Sequence, residues 1–507
     1  MSQQSSQERP NRLKRLFSHQ NSPLSSPKSI PDVKGAGMAQ TTPQPVMGNL
    51  VGPEKLSAVT ELMLKLAKDL ETVCLLPDQR DAALEELKIY GRNPQNADPI
   101  FTKEGIETLA RHAFHSPSSK TSRNALRCLC NAMLLKPDTR QMFVDLGFES
   151  KACSQLKNDN RDDEFLISRV IFLTTYDTNV DIEALVDKHN IAGIIAKNLE
   201  RHAKRSTTPE PPSDPMQGMA LVETLKLLFN VTHYCKDRVS SFTPCIPHIA
   251  VLLCQSTIGS SKPLDPPIGT LVNALLNLDL GEKDIQAALF PQEKNNVLAI
   301  RLVELLNLSR KSYGNEELEN TVTALVGVIR AIQEYAPEEV KAWVRGQLLP
   351  TEDDRNEVLG RSSTLPSWLL NNSTNPVTPQ FRETISNLLF DMSDRDATKF
   401  VDNVGYGFAS GFLFNRNLPI PQNAQEAFAN AEGREVNPIT GQFLDAEKHP
   451  VVPEMTEEEK EREAERLYVL FERLRANGLI TAENPVRTAQ QSGRFEELPD
   501  DYEEDVD

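Results

Sequence analysis

Six seven-residue windows with one shared design recur along this chain, and they limit the fold more than any other feature: ALRCLCN (125–131), SRVIFLT (168–174), TLKLLFN (224–230), LVNALLN (271–277), ALVGVIR (324–330) and ISNLLFD (385–391). In each, the three residues before the last are apolar or small and the last is polar. The final positions are 43, 56, 47, 53 and 61 residues apart. Armadillo and HEAT units run to about 40–47 residues, so these gaps fit one helical unit plus a loop of varying length. A helix of this kind is apolar on two sides because it packs on its own repeat and on the next one. Its polar end then faces a groove or caps a neighbouring turn. The reading is an all-α armadillo/HEAT solenoid over 51–415.

Helical text begins near residue 54, where Leu56, Val59, Leu62, Met63, Leu66 and Leu70 recur at steps of three and four. Proline clusters at 205–215, 262–267 and 372–379 mark loops. Residues 1–50 hold 8 Ser, 6 Pro and 6 Gln with a basic excess and no apolar period, which reads as a disordered arm. Ser18, after Arg15, is a candidate phosphorylation site there. Residues 416–455 are Pro/Asn/Gly-rich and aperiodic, an irregular linker. Thr456 and Glu459 have capping-box spacing and open a helix over 456–478, with Leu467, Leu470, Phe471 and Leu474 as its apolar stripe. Residues 479–507 form an acidic tail, with 8 acids in the last 12 positions.

The net charge of −17 argues against nucleic-acid binding without a local basic patch. No run approaches the ~18 apolar residues of a membrane span. The aromatic share of 6% disfavours a sheet-rich protein. Seven cysteines scattered through apolar helical text, with no apolar leader, suggest reduced thiols in a cytoplasmic protein. Cys128 and Cys130 fall on different faces of one helix, which suits core thiols better than zinc. The eight histidines show no paired-ligand spacing, and neither a P-loop nor a hydrolase elbow occurs. No metal or cofactor is expected. The glycine-rich stretch 405–411 lacks a surrounding βαβ unit and reads as a tight turn between helices rather than a phosphate cradle.

What remains is a groove. Asn131, Asn230, Asn277 and Arg330 stand at window ends, with Lys88, Arg92, Arg127 and Arg169 near them. Cations and amides in such a channel suit a helical or extended peptide ending in a carboxylate. Each residue also has a plainer reading, as a hydrogen-bonder inside the solenoid or a surface charge.

The segments RDDEFLISRVIFLTTYD (161–177), LKLLFNVTHY (225–234), LVNALLNL (271–278), KFVDNVGYGFASGFL (399–413), and NPITG (437–441) followed by MTEEEKEREAERLYVLFERL (455–474) resemble the synembryn family, and the long Ser/Pro arm, the form of the C-terminus and the loop at 205–215 resemble its fungal members. That family consists of cytosolic guanine nucleotide exchange factors and folding chaperones of heterotrimeric G-protein α subunits (Gα). The resemblance implies a right-handed superhelix whose concave face grips the C-terminal helix of Gα and stabilises the nucleotide-free state, without covalent chemistry. LKIYGRN (87–93) is similar to the family's basic repeat helix, so Lys88 and Arg92 would answer the Gα terminal carboxylate, with Asn131 beside them. Arg127, Arg169, Asn230, Asn277 and Arg330 are further candidates. The 456–478 helix would reach over Gα through Leu467, Leu470, Phe471 and Leu474. The expected partners are GDP-bound and nucleotide-free Gα, with no stable membrane insertion, a monomeric state and recruitment to the plasma membrane through Gα, the role of the basic arm being left open. One departure is that 419–436 contains no Ser or Thr where animal members carry a phosphorylated cluster; Thr456 is the nearest acidophilic-kinase candidate. The alternative from another class is an armadillo adaptor that binds extended peptides without exchange activity.

Overall fold

The computed structural model describes residues 50–206, 214–259, 262–292, 296–424, 428–429 and 433–447, together with single helical positions between 462 and 473 and Thr456. The chain divides into two units, 1–446 and 447–507.

The first unit is an all-α solenoid. Its helices are α1 (Gly52–Thr72), α2 (Pro77–Tyr90), α3 (Lys103–His115), α4 (Ser119–Leu135), α5 (Asp138–Asp145), α6 (Glu149–Gln155) and α7 (Arg161–Thr174). They continue with α8 (Ile182–Asp187), α9 (Ile191–Ser206), α10 (Pro215–Tyr234), α11 (Ile246–Gln255), α12 (Ile268–Leu276), α13 (Lys283–Leu289) and α14 (Val297–Ser312). A short π-helical stretch, Leu318–Val322, leads into α15 (Thr323–Tyr335). Then come α16 (Glu338–Leu348), α17 (Leu365–Ser373), α18 (Pro379–Met392), α19 (Ala397–Val404) and α20 (Tyr406–Asn415).

The local signals that start these helices are readable. Proline stands in the first turn of α1, α2, α10, α11, α17 and α18, where its missing N–H has no intrahelical bond to make. Thr102 caps α3 by accepting from the Gly105 N–H at 3.0 Å, and Asn160 caps α7 by accepting from Asp162 and Asp163. Three acids, Asp162, Asp163 and Glu164, follow in the first turn of α7, where the helix dipole favours negative charge.

All six windows lie on helices of one central layer. In that layer α2 packs on α4, α4 on α7, α7 on α10, α10 on α12, α12 on α15, and α15 on α18. An outer layer follows the same order, with α1 on α3, α9 on α11, α11 on α14, and α14 on α16. The central helices are enclosed by neighbours: every residue from Glu164 to Tyr176 is buried, as is every residue from Glu223 to Thr232. A helix hydrophobic all round must be an interior one, and this places the windows in the core of the stack.

The turn expected over 405–411 narrows to Gly405 alone, at the junction of α19 and α20, while 406–411 form the first turns of α20. Gly405 has φ +77° and serves as both the end of one helix and the start of the next. The NPITG segment docks on it: Tyr406 N–H donates to Pro438 O at 2.8 Å and Gly407 N–H to Ile439 O at 3.0 Å. A β-carbon at Gly407 would stand 2.9 Å from that same Ile439 oxygen, so the approach requires glycine. Arg355 fastens the segment from the other side, donating to the carbonyls of Gly441, Asp402 and Asn403. Just before it, β1 (Phe428–Ala429) and β2 (Glu435–Val436) pair antiparallel, with Phe428 opposite Val436.

In the second unit, Arg462, Glu465, Arg466, Tyr468, Val469 and Arg473 are helical and Thr456 is exposed. Leu467, Leu470, Phe471, Leu474 and Ser18 lie outside the described residues.

Candidate functional site

The sequence candidates separate into two groups once the helices are packed. Asn230, Asn277 and Arg330, taken from the window ends, are rungs of an internal ladder. Asn230 donates to Thr175 Oγ1 at 2.7 Å, joining α10 to the end of α7. Asn277 donates to Phe229 O at 3.1 Å, joining the end of α12 to α10. Arg330 pairs with Asp391 at 2.5 Å, joining α15 to α18. Each ties one window to the next. Their partners are therefore inside the solenoid, which is the plainer of the two readings the sequence allowed.

The second group lies at the N-terminal end of the layer. Lys88 is buried on α2, and burial together with the nearby Arg127 charge lowers its ammonium pKa, while Glu85 opposes the shift. Around it runs a polar relay across three helices. Asn124 donates to Glu85 at 3.3 Å, Arg127 donates to Asn124 at 3.2 Å, and Arg127 pairs with Asp162 at 3.1 Å. Arg127 and Asp162 keep 27% and 34% of their side-chain surface exposed, so their pair is partly solvated and contributes no more than about 1 kcal/mol. An incoming carboxylate can compete for Arg127. Arg92 is half-buried just past the end of α2, and its Nε is buried without a hydrogen-bond partner among the described residues. Lys55 holds the loop that follows, donating to Asn93 O at 2.8 Å and Gln95 O at 2.7 Å. Asn131 is buried one turn beyond Arg127 on α4.

Cys128 and Cys130 are core thiols, donating to Leu84 O at 3.4 Å and Leu166 O at 3.6 Å on the flanking helices. Burial pushes both thiols up to about 12, so neither forms thiolate at neutral pH.

Arg169 on α7 belongs to a buried triad the sequence reading did not assemble. Its Nη2 donates to Glu223 Oε1 at 2.9 Å, and Lys226 Nζ donates to the same oxygen at 3.0 Å. The guanidinium also lies 5.1 Å over the Phe165 ring, and the ammonium 5.7 Å over Phe172. Burial lowers the Lys226 pKa, with Glu223 opposing. One turn back, Glu164 accepts from Thr224 at 2.8 Å and lies 2.9 Å from His202 Nε2, with Arg201 at 3.4 Å. Burial alone would raise the Glu164 carboxyl; these partners outweigh it and hold the group below its ordinary range. The signal for the triad was present in the sequence, since Lys226 sits inside the window TLKLLFN, where an ammonium has to be neutralised.

Arg169, Glu223 and Lys226 also line a cavity of about 420 Å³ between α7, α10 and the Pro266–Pro267 turn before α12. The elements bearing Lys88, Arg92, Arg127, Asn131, Arg169 and this cavity are thus neighbours in the central layer.

A family model described as guanine nucleotide exchange factor synembryn (Ric8) matches residues 83–494. A synembryn-like chaperone of Schizosaccharomyces pombe is 25% identical over 66% of this chain and 66% of its own. Chaperone Ric-8A of Macaca fascicularis is 24% identical over 80% of this chain and 83% of its own. Chaperone Ric-8A of Danio rerio is 24% identical over 83% and 84%. With the match running from α2 through α20 and beyond, the chain belongs to the synembryn (Ric8) family.

Proposed function

We propose that this protein is a receptor-independent guanine nucleotide exchange factor and folding chaperone for G-protein α subunits. The observation that carries the reading is the cationic and amide cluster on α2 and α4, Lys88, Arg92, Arg127 and Asn131, inside the region matched to the synembryn family. The weakly committed, partly solvated Arg127 leaves hydrogen-bonding capacity for the terminal carboxylate of a Gα helix.

The mechanism needs no covalent step and is a matter of differential affinity. A groove that binds the Gα C-terminal helix only when it is withdrawn from the Gα nucleotide domain stabilises the nucleotide-free form. By linkage it weakens GDP binding by the same factor. The same grip on a newly made Gα favours its folded form by mass action. The 456–478 helix supplies a second contact through Leu467, Leu470, Phe471 and Leu474.

The test is GDP release from purified Gα at several concentrations of this protein. The expected outcome is acceleration with a stable nucleotide-free complex that GTP dissolves. A complex without acceleration would leave a chaperone or a peptide-binding adaptor, and the absence of any complex would refute the reading.

A further inference from the structure

Between α16 and α17 the chain runs through 349–364 without an α-helix, and this loop is what holds the 437–443 segment. Besides the Arg355 guanidinium, the Arg355 carbonyl accepts from the Phe443 N–H at 2.9 Å, and the Leu359 N–H donates to Thr440 O at 3.2 Å. Gln442 Nε2 donates to Asn356 O, also at 3.2 Å. The far end of the segment leads directly into the second unit, which begins at Glu447.

The loop is itself folded around one carboxylate. Asp354 is 3% exposed. Its Oδ2 accepts from the Thr351 N–H and from Thr351 Oγ1, each at 3.0 Å. Its Oδ1 accepts from Ser362 Oγ at 2.8 Å and from Thr364 Oγ1 at 2.6 Å. Burial alone would raise the carboxyl; the bonds from Thr364, Thr351 and Ser362 outweigh it and hold the group below its ordinary range. Asp354 thus ties the 362–364 end of the loop to its neighbour Arg355, and through Arg355 to the 437–443 segment.

Thr364 also caps α17, accepting from the Ser367 N–H at 3.4 Å. It is exposed, and so is Arg361, three residues before it. The Arg361 side chain makes no hydrogen bond or ion pair among the described residues. An arginine three positions ahead of a hydroxyl is the spacing that basophilic protein kinases read. Arg238 and Arg395 stand at the same spacing before Ser241 and Thr398, but their guanidiniums are taken up by Asp187 and by Asp391 and Glu334.

We propose that Thr364 is a phosphorylation site for a basophilic serine/threonine kinase, and that a phosphate there undoes the Asp354 hub and loosens the 437–443 segment. Transfer of the γ-phosphoryl group of ATP to Thr364 Oγ1 releases ADP and the hydroxyl proton. That proton is the one donated to Asp354 Oδ1. In its place stands an ester with between about 1.5 and 2 negative charges at neutral pH, against a buried carboxylate that has lost a donor. The attraction becomes like-charge repulsion. The same phosphate lies at the N-terminus of α17, where negative charge is favoured, so α17 holds while the loop and the segment it fastens give way. This inference does not depend on the Gα-binding reading.

The test incubates the full chain with magnesium ATP and the catalytic subunit of cAMP-dependent protein kinase, a probe selective for arginine at that spacing. Mass spectrometry locates the phosphate, and amide exchange is compared before and after. Phosphate is expected on Thr364, and Arg361→Ala should abolish it while leaving exchange as in wild type. In the phosphorylated chain, 351–362 and 437–443 should exchange about tenfold faster or more, with 365–373 unchanged. A peptide of residues 358–367 is the control. If the peptide is phosphorylated and the folded chain is not, the loop shields Thr364 and the proposal fails; if neither is phosphorylated, the sequence is not a recognition site and it fails equally. Phosphate on Ser362 or Ser363 instead of Thr364 overturns the assignment. Phosphate on Thr364 with unchanged exchange in 437–443 overturns the coupling to that segment.

Discussion

Replacing Glu223 with Gln should open the joint between α7 and α10 while leaving the rest of the solenoid in place. Arg169 Nη2 and Lys226 Nζ reach one oxygen at 2.9 and 3.0 Å, so the two cations are no more than about 6 Å apart. At an effective dielectric of about 20, two bare unit charges at that distance repel by about 3 kcal/mol. Removing one member of a buried ionic group generally costs about 3–5 kcal/mol, because the remaining charge is left desolvated. Gln keeps the shape of Glu, so the loss is electrostatic rather than a cavity effect. A repeat stack does not unfold as one unit, so the readout is native-state amide exchange, resolved to peptides from 161–174 and 215–234. Those amides should exchange roughly two to four orders of magnitude faster than in wild type, with α15 and α18 unaffected. The companion Arg169→Met, Glu223→Leu, Lys226→Met, which replaces the whole triad with apolar groups, should restore protection to near wild type. Exchange within about threefold of wild type in Glu223→Gln would refute the reasoning, because it would mean that the triad is solvated and its charges uncoupled.

The remaining expectations follow from other residues. Lys88→Glu with Arg92→Glu should weaken Gα-peptide binding by about 2 kcal/mol or more, about 30-fold in Kd, measured by anisotropy. Leu470→Asp with Phe471→Asp should slow GDP release from Gα while sparing peptide binding; unchanged release would remove that helix face from the mechanism. Gly405→Ala puts a side chain at φ +77°, ψ 149°, a region essentially confined to glycine, and should destabilise the 437–443 docking by about 1–3 kcal/mol, read as faster exchange in that segment. Glu164 is held below its ordinary value of 4.5, so its contribution to stability is complete above that pH and is lost as the pH falls below it. The thermal-midpoint gap between wild type and Glu164→Gln should therefore be widest near neutrality and close as the pH drops below 4.5.

Much of the fold was legible because an interior repeat helix leaves a local mark. Windows such as TLKLLFN and ISNLLFD are apolar over nearly a full turn, which only a helix packed on two sides tolerates. The helix junction at Gly405 was legible as a turn, whereas Gly407 stands inside α20. The reason for Gly407, the Ile439 carbonyl pressed against it, lies 32 residues further on and could not be read locally. The candidate site was less legible. Asn230, Asn277 and Arg330 have the residue types of a peptide groove, yet each has a hydrogen-bond or ion-pair partner in the neighbouring repeat. Glu223 was passed over because, two residues from a Leu, it reads as an ordinary helix charge until Arg169 is brought to it from 54 positions away.

The sequence by itself determined that the chain is helical, where its interior helices run and in what order they stack, because hydrophobic periodicity is encoded within a few turns. Only the tertiary structure decided which polar side chains serve the stack and which serve a partner. Spacing fixes the face on which a side chain stands, but not the neighbour that arrives there after a loop of variable length. A buried cation or amide is functional or structural according to whether that neighbour satisfies it.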